Sequence, residues 1–356
     1  MRWLALLLFS FSLGTLYAQD YYVQSLPAVI IAEQAMHQWP DDLAEPLGTL
    51  ALGASITLTG RDLRGAWFHA QTPSGSQGWL PLDAIGILPN LSLLPVQRLD
   101  YAELLDSVLF WNFGREMGWL YTYGLSLGNS SNRFAKIGDS ITVSQNFLAP
   151  VGEGTYDLMG YSYLEATIRA YLSEGRANSF SRLSAAAGVG WTAAQLLQPA
   201  QNISCPDMTR LACEYLLHRP SVALITIGTN DLNYVNLEDY LANVRRVVEI
   251  SFQMGVIPAL STLPEQIDKS LRVRVFNQAL FALADEMDVP LWNYWLVSYN
   301  LPNRGLNADG VHPSAPPNRA SAATFDAESL KYGYTMRNLM ALQALYLLRA
   351  NVMNLR

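Results

Sequence analysis

Residues 134–144 read FAKIGDSITVS, a short apolar run that stops at Gly138-Asp139-Ser140 and continues into a hydroxyl-rich stretch. The run FAKIG is typical of a buried β-strand, and the residues after it are typical of a turn that opens a helix. Ser140 therefore has two interpretations: it caps that helix, because serine is a favoured N-cap residue, or it is a nucleophile. The second interpretation requires a base, an orienting acid and donors for an oxyanion elsewhere in the chain.

The chain that follows alternates between β-type runs and helical stretches. The β-type runs are FAKIG, SFSRLSAAAG, SVALITIG, VIPALST and VPLWNYW. The helical stretches are YSYLEATIRAYLSEG, TAAQLLQ, LEDYLANVRRVVEISFQMG, LRVRVFNQALFALADEMD and a last helix over about 327–352. Near-continuous apolar strands that alternate with helices predict an α/β fold with a parallel sheet covered on both faces. Ligands bind such sheets in the loops at the carboxyl ends of the strands, which is where FAKIG meets Ser140.

One histidine is placed to act as the base. The chain has four, His37, His69, His218 and His312. The first two fall in the N-terminal region, and His218 precedes the strand SVALITIG, at the opposite end of the sheet. His312 follows the last strand, and Asp309 lies three residues before it, so a tight turn can place the carboxylate against Nδ1 and leave Nε2 facing Ser140.

Three groups are candidates for the oxyanion donors: the Ser140 N–H, a glycine N–H from Gly188-Val189-Gly190 and the side-chain amide of Asn230. We favour Gly190, because it directly precedes the Trp191-Thr192 pair that opens a helix, and Gly188 remains an alternative. Asn230 could instead be only a turn residue. Asp139 and Asp231 are expected to support the site through hydrogen bonds.

These residues carry a resemblance to a known family. The segment 134–350 resembles the SGNH (GDSL-type) hydrolases, whose four blocks appear in order as GDS at 138–140, glycines at 188–190, GTND at 228–231 and DGVHP at 309–313. The resemblance implies a flavodoxin-like three-layer fold, a Ser140 nucleophile, a His312 base with Asp309, and oxyanion donors from Ser140, a glycine of the second block and Asn230. Two blocks depart from the usual pattern: GDSIT replaces GDSL, and AAAGVGWT lacks the asparagine and serine that relatives often carry.

The N-terminal part of the chain has a different pattern. Residues 20–90 show short β-type runs separated by glycine-containing turns, which predicts a small all-β barrel. The stretch 48–88 resembles the bacterial SH3-like (SH3b) domain through Gly53, Trp67 and the Gly78-Trp79 pair. Trp67 and Trp79 are either core residues or a ligand-facing aromatic shelf. Residues 91–132 are expected to be an apolar connector that packs on one or both domains, with some helix in 101–112.

The first residues and the two cysteines bear on the compartment. Residues 1–18 have the pattern of a signal peptide, with an uncleaved membrane anchor as the alternative, and no later segment reaches transmembrane length. The protein is therefore expected outside the cytoplasm. Cys205 and Cys213 would form a local disulfide there, and they are a poor metal site because no histidine lies at ligand spacing. A net charge of -7 without a Lys/Arg block makes nucleic acid an unexpected partner.

The sequence thus predicts a secreted serine esterase that works through an acyl-enzyme, with no metal or organic cofactor. The SH3-like domain suggests attachment at a cell wall, and this pairing suggests an acylated glycan as the ester substrate. A lipase, lysophospholipase or thioesterase would use the same groups and is the alternative enzyme. A glycan-binding wall protein without catalysis is the alternative from another class, and the presence of Ser140, Asp309 and His312 argues against it.

Overall fold

The computed structural model describes residues 23–86, 91–172, 178–202 and 204–355, so the predicted signal peptide at 1–18 lies outside the described residues. The chain divides into two compact units, of which the first comprises residues up to Pro40 together with Pro46–Arg98. The second comprises Asp41–Glu45 and the chain from Leu99 onward. Most of the expected connector, residues 99–132, therefore belongs to the second unit.

The first unit is built on an antiparallel sheet of six strands. The strands are β1 (Leu26–Val29), β2 (Gln34–His37), β3 (Pro46–Leu50), β4 (Ser55–Arg61), β5 (Trp67–Gln71) and β6 (Gln77–Pro81), and their order is β1-β4-β5-β6-β2-β3. Within the described residues β1 and β3 do not pair with each other, so the sheet stays open. Trp67 and Trp79 are each only 3% exposed, which makes them core residues rather than a ligand-facing shelf.

The second unit contains a mixed sheet of five strands. They are β7 (Phe110–Trp111), β8 (Ser130–Gly138), β9 (Pro220–Thr226), β10 (Ile257–Ser261) and β11 (Leu291–Trp292), in the order β7-β11-β10-β9-β8. The strands β8 to β11 are parallel, but β7 pairs antiparallel with β11, so the prediction of a purely parallel sheet was wrong at this edge. Asn293 fixes the edge: its N–H donates to Leu109 O at 2.8 Å, and its side-chain amide donates to Leu105 O and Val108 O at 2.8 Å.

The predicted strand at 179–188 is not formed. Only one parallel bridge joins this segment to β8, between Ala187 and Gly138. The N–H groups of Phe180 and Ser181 donate instead to Asn178 Oδ1 at 3.0 and 3.1 Å. Side chains therefore satisfy backbone groups that a sheet ladder would have used.

Helices cover both faces of the mixed sheet, because every residue of β9 and β10 is buried and successive residues of a strand face opposite sides. None of the helices in the described ranges is long and apolar enough to cross a bilayer. The helices are α1 (Tyr101–Ser107), α2 (Gly118–Ser126), α3 (Ser140–Val143), α4 (Ala149–Gly152), α5 (Glu165–Leu172), α6 (Ala193–Leu196), α7 (Arg210–His218), α8 (Asp231–Tyr234), α9 (Leu237–Gln253), α10 (Ser270–Met287), α11 (Tyr294–Tyr299) and α12 (Gly333–Leu347).

The two cysteines form a disulfide. Cys205 and Cys213 are joined, with their Cα atoms 5.5 Å apart. Cys213 lies in α7 and Cys205 in the loop before it, so the bond ties the start of this helix to the chain that leads into it.

Candidate active site

The turn after β8 exposes the Ser140 hydroxyl. Asp139, not Ser140, is the N-cap of α3, and its Oδ1 accepts the N–H of Ile141 at 2.9 Å. Gly138 is required at this turn because a Cβ there would collide with the side chain of Thr142 and the carbonyl of Thr226. The cap is therefore supplied by the neighbouring residue, and the serine hydroxyl is left to interact with another loop.

Ser140, His312 and Asp309 form one continuous chain of hydrogen bonds. The Ser140 Oγ lies 2.9 Å from Nε2 of His312, and Nδ1 of the same ring lies 2.8 Å from Oδ2 of Asp309. The side chains of His312 and Asp309 are 39% and 46% exposed, so a substrate can reach this hydrogen-bonded series from solvent. The structure thus brings together the three side chains that the sequence selected, in the order that proton transfer from a serine to an imidazole requires.

The loop that carries His312 is fixed by its own hydrogen bonds. Asp309 Oδ1 accepts the N–H groups of Val311 and His312, both at 2.9 Å. Partial burial raises the pKa of Asp309, but these two N–H bonds and the contact with His312 outweigh it, so the pKa lies below its usual value. The carboxylate is therefore held ionised beside the imidazole.

The two glycines of the second block differ in their surroundings. The Gly188 N–H donates to Gly138 O at 3.1 Å, and a Cβ on Gly188 would collide with the indole of Trp191. Gly190 has a φ of +76°, nothing lies within 4 Å of the position of a Cβ, and its N–H finds no acceptor in the described part of the chain. Gly188 therefore has a packing role, and Gly190 is the glycine with an available donor.

Asn230 and Asp231 lie next to that loop. Asn230 uses one N–H of its amide to bond Trp191 O at 2.9 Å, which leaves the other N–H as a donor. Asp231 is fully buried, and both of its oxygens accept the N–H of Ala193 at 3.1 Å. Burial is the main cause that raises the pKa of Asp231 to about 6, and the nearby charge of Asp139 adds to it.

Asp139 is also fully buried. Burial raises the pKa of its carboxyl, while the hydrogen bond from Ile141 and the charge of the Arg337 guanidinium act in the opposite direction. Its position before Ser140 and its bond to Ile141 give it the structural role that the sequence predicted.

The remaining histidines take no part in this series of hydrogen bonds. His37 and His69 belong to the first unit. His218 Nε2 lies 3.0 Å from Phe134 O and 3.1 Å from Ser179 Oγ, and burial lowers its pKa to about 3. In the described ranges no three His, Cys, Asp or Glu side chains come together in the way that metal ligands would.

Sequence reasoning missed the part that α12 plays in the site. At its start, the N–H groups of Gly333 and Tyr334 donate to the hydroxyl and carbonyl oxygens of Ser314, two residues after His312, at 3.0 and 2.9 Å. Further along, Asn338 accepts the N–H of Leu148 at 2.9 Å and donates to Asn146 O at 2.8 Å. A buried asparagine within an apolar helix was the available signal, because such a side chain needs partners on neighbouring segments.

Comparison with known proteins gives one family match. The sequence model of the GDSL-like lipase/acylhydrolase family matches residues 137–320. Among curated proteins no sequence matches that of this chain.

Several solved structures resemble the chain at low similarity. An acetylxylan esterase from Geobacillus stearothermophilus is 19% identical and has a TM-score of 0.39; the match covers 61% of this chain and 95% of that one. A GDSL-like lipase from Bacteroides thetaiotaomicron is 16% identical, with a TM-score of 0.38 and coverage of 65% and 98%. An esterase from a Pseudoalteromonas species is 15% identical, with a TM-score of 0.39 and coverage of 60% and 98%. At these scores the likeness carries no argument about a substrate.

Proposed function

We propose, from the premise that this chain belongs to the GDSL-like lipase/acylhydrolase family of serine ester hydrolases, that Ser140 is its nucleophile, His312 its general base and Asp309 the acid that orients the base. The observation that carries this assignment is the unbroken series of contacts from Ser140 Oγ to His312 Nε2 at 2.9 Å and from Nδ1 to Asp309 Oδ2 at 2.8 Å.

In the proposed reaction Ser140 Oγ attacks the ester carbonyl carbon while His312 Nε2 takes the hydroxyl proton. The carbonyl π pair moves onto oxygen, and the negative charge is held by N–H donors. When the tetrahedral intermediate collapses, the C–O bond to the alcohol breaks and His312 returns its proton to the leaving oxygen. A water then repeats the sequence on the acyl-enzyme, releases the carboxylic acid and regenerates the Ser140 hydroxyl.

The proposed oxyanion donors are the N–H of Ser140, the N–H of Gly190 and the remaining amide N–H of Asn230. Ser140 is the first residue of α3, so its N–H has no acceptor within the helix. Gly190 is preferred over Gly188, because Gly188 already donates to Gly138 O. Each such donor contributes about 3 to 4 kcal/mol to the transition state in serine hydrolases.

For the substrate and the place of action we propose an acylated carbohydrate, such as an O-acetylated wall glycan, met outside the cytoplasm. The signal-peptide pattern of residues 1–18 supports export, and the SH3-like sequence pattern of 48–88 supports attachment to a cell wall. The openness of the site, where His312 and Asp309 are more than a third exposed, suits a bulky alcohol group on the leaving side.

One observation favours the alternative of a lipase, lysophospholipase or thioesterase. Apolar or aromatic side chains near the site are exposed: Val189 at 76%, Tyr234 at 81% and Ile267 at 45%. Val189 precedes Gly190, Tyr234 ends the helix that follows Asn230, and the Ile267 N–H donates to Gly310 O at 3.0 Å. Such a rim could contact a hydrophobic acyl chain.

Kinetics on an ester panel test both proposals. The full chain and a Ser140→Ala variant are assayed with p-nitrophenyl esters of increasing chain length and with acetylated oligosaccharides. We expect Ser140-dependent acetate release from the sugars and a fall in kcat/KM as the acyl chain lengthens. Turnover confined to long-chain esters would remove the glycan proposal, and turnover that persists in Ser140→Ala would remove the nucleophile.

A further inference from the structure

Gly190 has no side chain whose contacts could hold its backbone N–H in place. The residue has no Cβ, its φ is +76°, and nothing lies within 4 Å of the point where a side chain would begin. An oxyanion donor must nevertheless be held in place before the reaction, because its value comes from preorganisation. The neighbouring residues supply the constraint: on one side Gly188, whose N–H bonds Gly138 O at 3.1 Å and whose carbonyl accepts the Trp191 N–H at 3.3 Å, and on the other side the residues from Trp191 to Ala193.

Those residues are held from the neighbouring strand end. Asn230 bonds Trp191 O at 2.9 Å, and Asp231 bonds the N–H of Ala193 through both oxygens at 3.1 Å. Thr192, between them, closes a capping box with Gln195. Asn230 and Asp231 thus fix a carbonyl and an N–H on either side of Thr192, and these contacts leave little freedom to the peptide that enters from Gly190.

A buried carboxylate is an energetically unfavourable acceptor for a single N–H group. Asp231 is fully buried, and no Lys, Arg or His nitrogen lies within 4.0 Å of it in the described part of the chain. Serine, threonine or asparagine would accept one N–H without burying a charge. Aspartate can accept the Ala193 N–H through two oxygens, whereas the amide of asparagine has only one oxygen that can accept it.

We propose that Asp231 is a positioning residue that holds Ala193 and thereby fixes the Gly190 N–H where the oxyanion develops. This inference rests on the proposed function. It assigns Asp231 no contact with substrate. The rival explanation is that Asp231 stabilises the start of α6 and nothing more.

The test compares full-chain variants Asp231→Ala and Asp231→Asn with wild type on p-nitrophenyl acetate, together with thermal melting at pH 7.5. Asn236→Ala is the matched control, because Asn236 Oδ1 likewise accepts a helix-start N–H, that of Asp239 at 2.8 Å, on α9. For Asp231→Ala we expect kcat to fall about 50-fold at a nearly constant KM, because an oxyanion donor acts mainly in the transition state. Asn236→Ala should lose melting temperature but keep kcat within about 2-fold.

Asp231→Asn separates positioning from stability. It removes a buried charge, so its melting temperature should equal or exceed that of wild type at pH 7.5, while the loss of one oxygen lowers kcat about 5- to 10-fold. A variant that is no less stable and yet slower is not explained by a purely structural role. The rate at which a p-nitrophenyl phosphonate labels Ser140 should fall in parallel, and this readout does not depend on turnover.

Two results would overturn the inference: full kcat in Asp231→Asn, or a rise in KM alone in Asp231→Ala. If Asp231→Ala does not fold, Asp231→Asn decides by itself. Failure of the proposed function looks different, since wild type would then show no Ser140-dependent turnover or phosphonate labelling at all.

Discussion

The proposed active site has two sides that are built in different ways. On the nucleophile side, three side chains from two loops form a series of two hydrogen bonds, from Ser140 through His312 to Asp309. On the donor side, the proposed groups are two backbone N–H groups and one amide, and their positions depend on residues such as Asp231 that do not face the substrate. Loss of one side chain on the nucleophile side interrupts proton transfer, whereas loss of one oxyanion donor leaves the others and lowers the rate only in part.

The difference also determines what a substitution reports. A change in the series removes proton transfer itself, so it should affect kcat by orders of magnitude and leave the fold intact. A change on the donor side alters a geometry that packing maintains, so its effect on activity must be separated from its effect on stability. The largest effects are therefore expected from changes in the series, and smaller ones from changes on the donor side.

Removal of the nucleophile should have the largest effect. Ser140→Ala should lower kcat at least about 10⁴-fold and abolish phosphonate labelling, because it removes the hydroxyl that contacts His312 Nε2. Ser144→Ala is the control from the same segment and should stay within about 3-fold of wild type. Phosphonate labelling of another serine in Ser140→Ala would contradict the assignment of Ser140 as the nucleophile.

Removal of the orienting acid should come next. Asp309→Asn should lower kcat about 10³- to 10⁴-fold, less than removal of the nucleophile, because His312 keeps its place in the loop. The pKa of Asp309 lies below its usual value, so the group is ionised throughout the neutral range, and the fold-loss should be the same at pH 6 and pH 8. A loss that is much smaller at pH 6 than at pH 8 would contradict this, because it would show that Asp309 becomes protonated near pH 6 and acts through its own titration.

On the donor side, Asn230→Ala should lower kcat about 10²-fold with a small change in KM. The expected reason is the loss of one oxyanion donor together with the bond to Trp191 O. Asn233→Ala is the control, because Asn233 lies on the same short helix but its amide donates to Thr229 O, at 3.4 Å, and accepts from Lys269 Nζ instead of bonding the loop that carries Gly190. Equal losses in the two variants would argue that the helix as a whole, and not the Asn230 amide, supports the reaction.

The buried Asp231 should make stability depend on pH. Its pKa is raised from 3.8 to about 6 in the folded protein, so between these values the folded state binds more protons than the unfolded state and stability falls as pH rises. Relative to Asp231→Asn, wild type should lose about 2 kcal/mol of unfolding free energy between pH 4 and pH 7. The unfolding free energy of both proteins is measured by urea denaturation at each pH. The same pH dependence in wild type and in Asp231→Asn would contradict a buried, ionised Asp231.

The two glycines should give the smallest and most selective effects. Gly190→Ala should lower kcat about 10-fold and cost about 1 kcal/mol of stability, because alanine tolerates a φ of +76° poorly although space is available. Gly188→Ala should act mainly on the melting temperature, because its Cβ collides with Trp191. A larger loss of kcat in Gly188→Ala at equal stability would move the donor back to Gly188.

The sequence was sufficient to predict that Ser140, His312 and Asp309 come together, because Ser140 follows strand β8 directly and Asp309 lies three residues before His312 in one loop. It was less informative where the backbone is satisfied by side chains. The run 179–188 looks like a strand, but the side chain of Asn178, directly before it, accepts the N–H groups of Phe180 and Ser181. Such local side-chain bonds compete with a sheet ladder, and the apolar pattern of the run does not show which of the two wins. The strand β7 was hidden for another reason: it is only two residues long, and the carbonyls before it are bonded by Asn293, which is distant in sequence.

The helix α12 sets a practical limit on how this enzyme can be divided. It lies beyond residue 320, where the family match ends, yet it bonds Ser314 on one side and Asn146 and Leu148 on the other. A gene fragment that ends at residue 320 would encode the loops that carry Ser140 and His312 without α12, which forms hydrogen bonds with the segments that follow both residues. Portable versions of this domain for fusion proteins should therefore extend through residue 347 and begin no later than Leu99, where the continuous segment of the second unit starts.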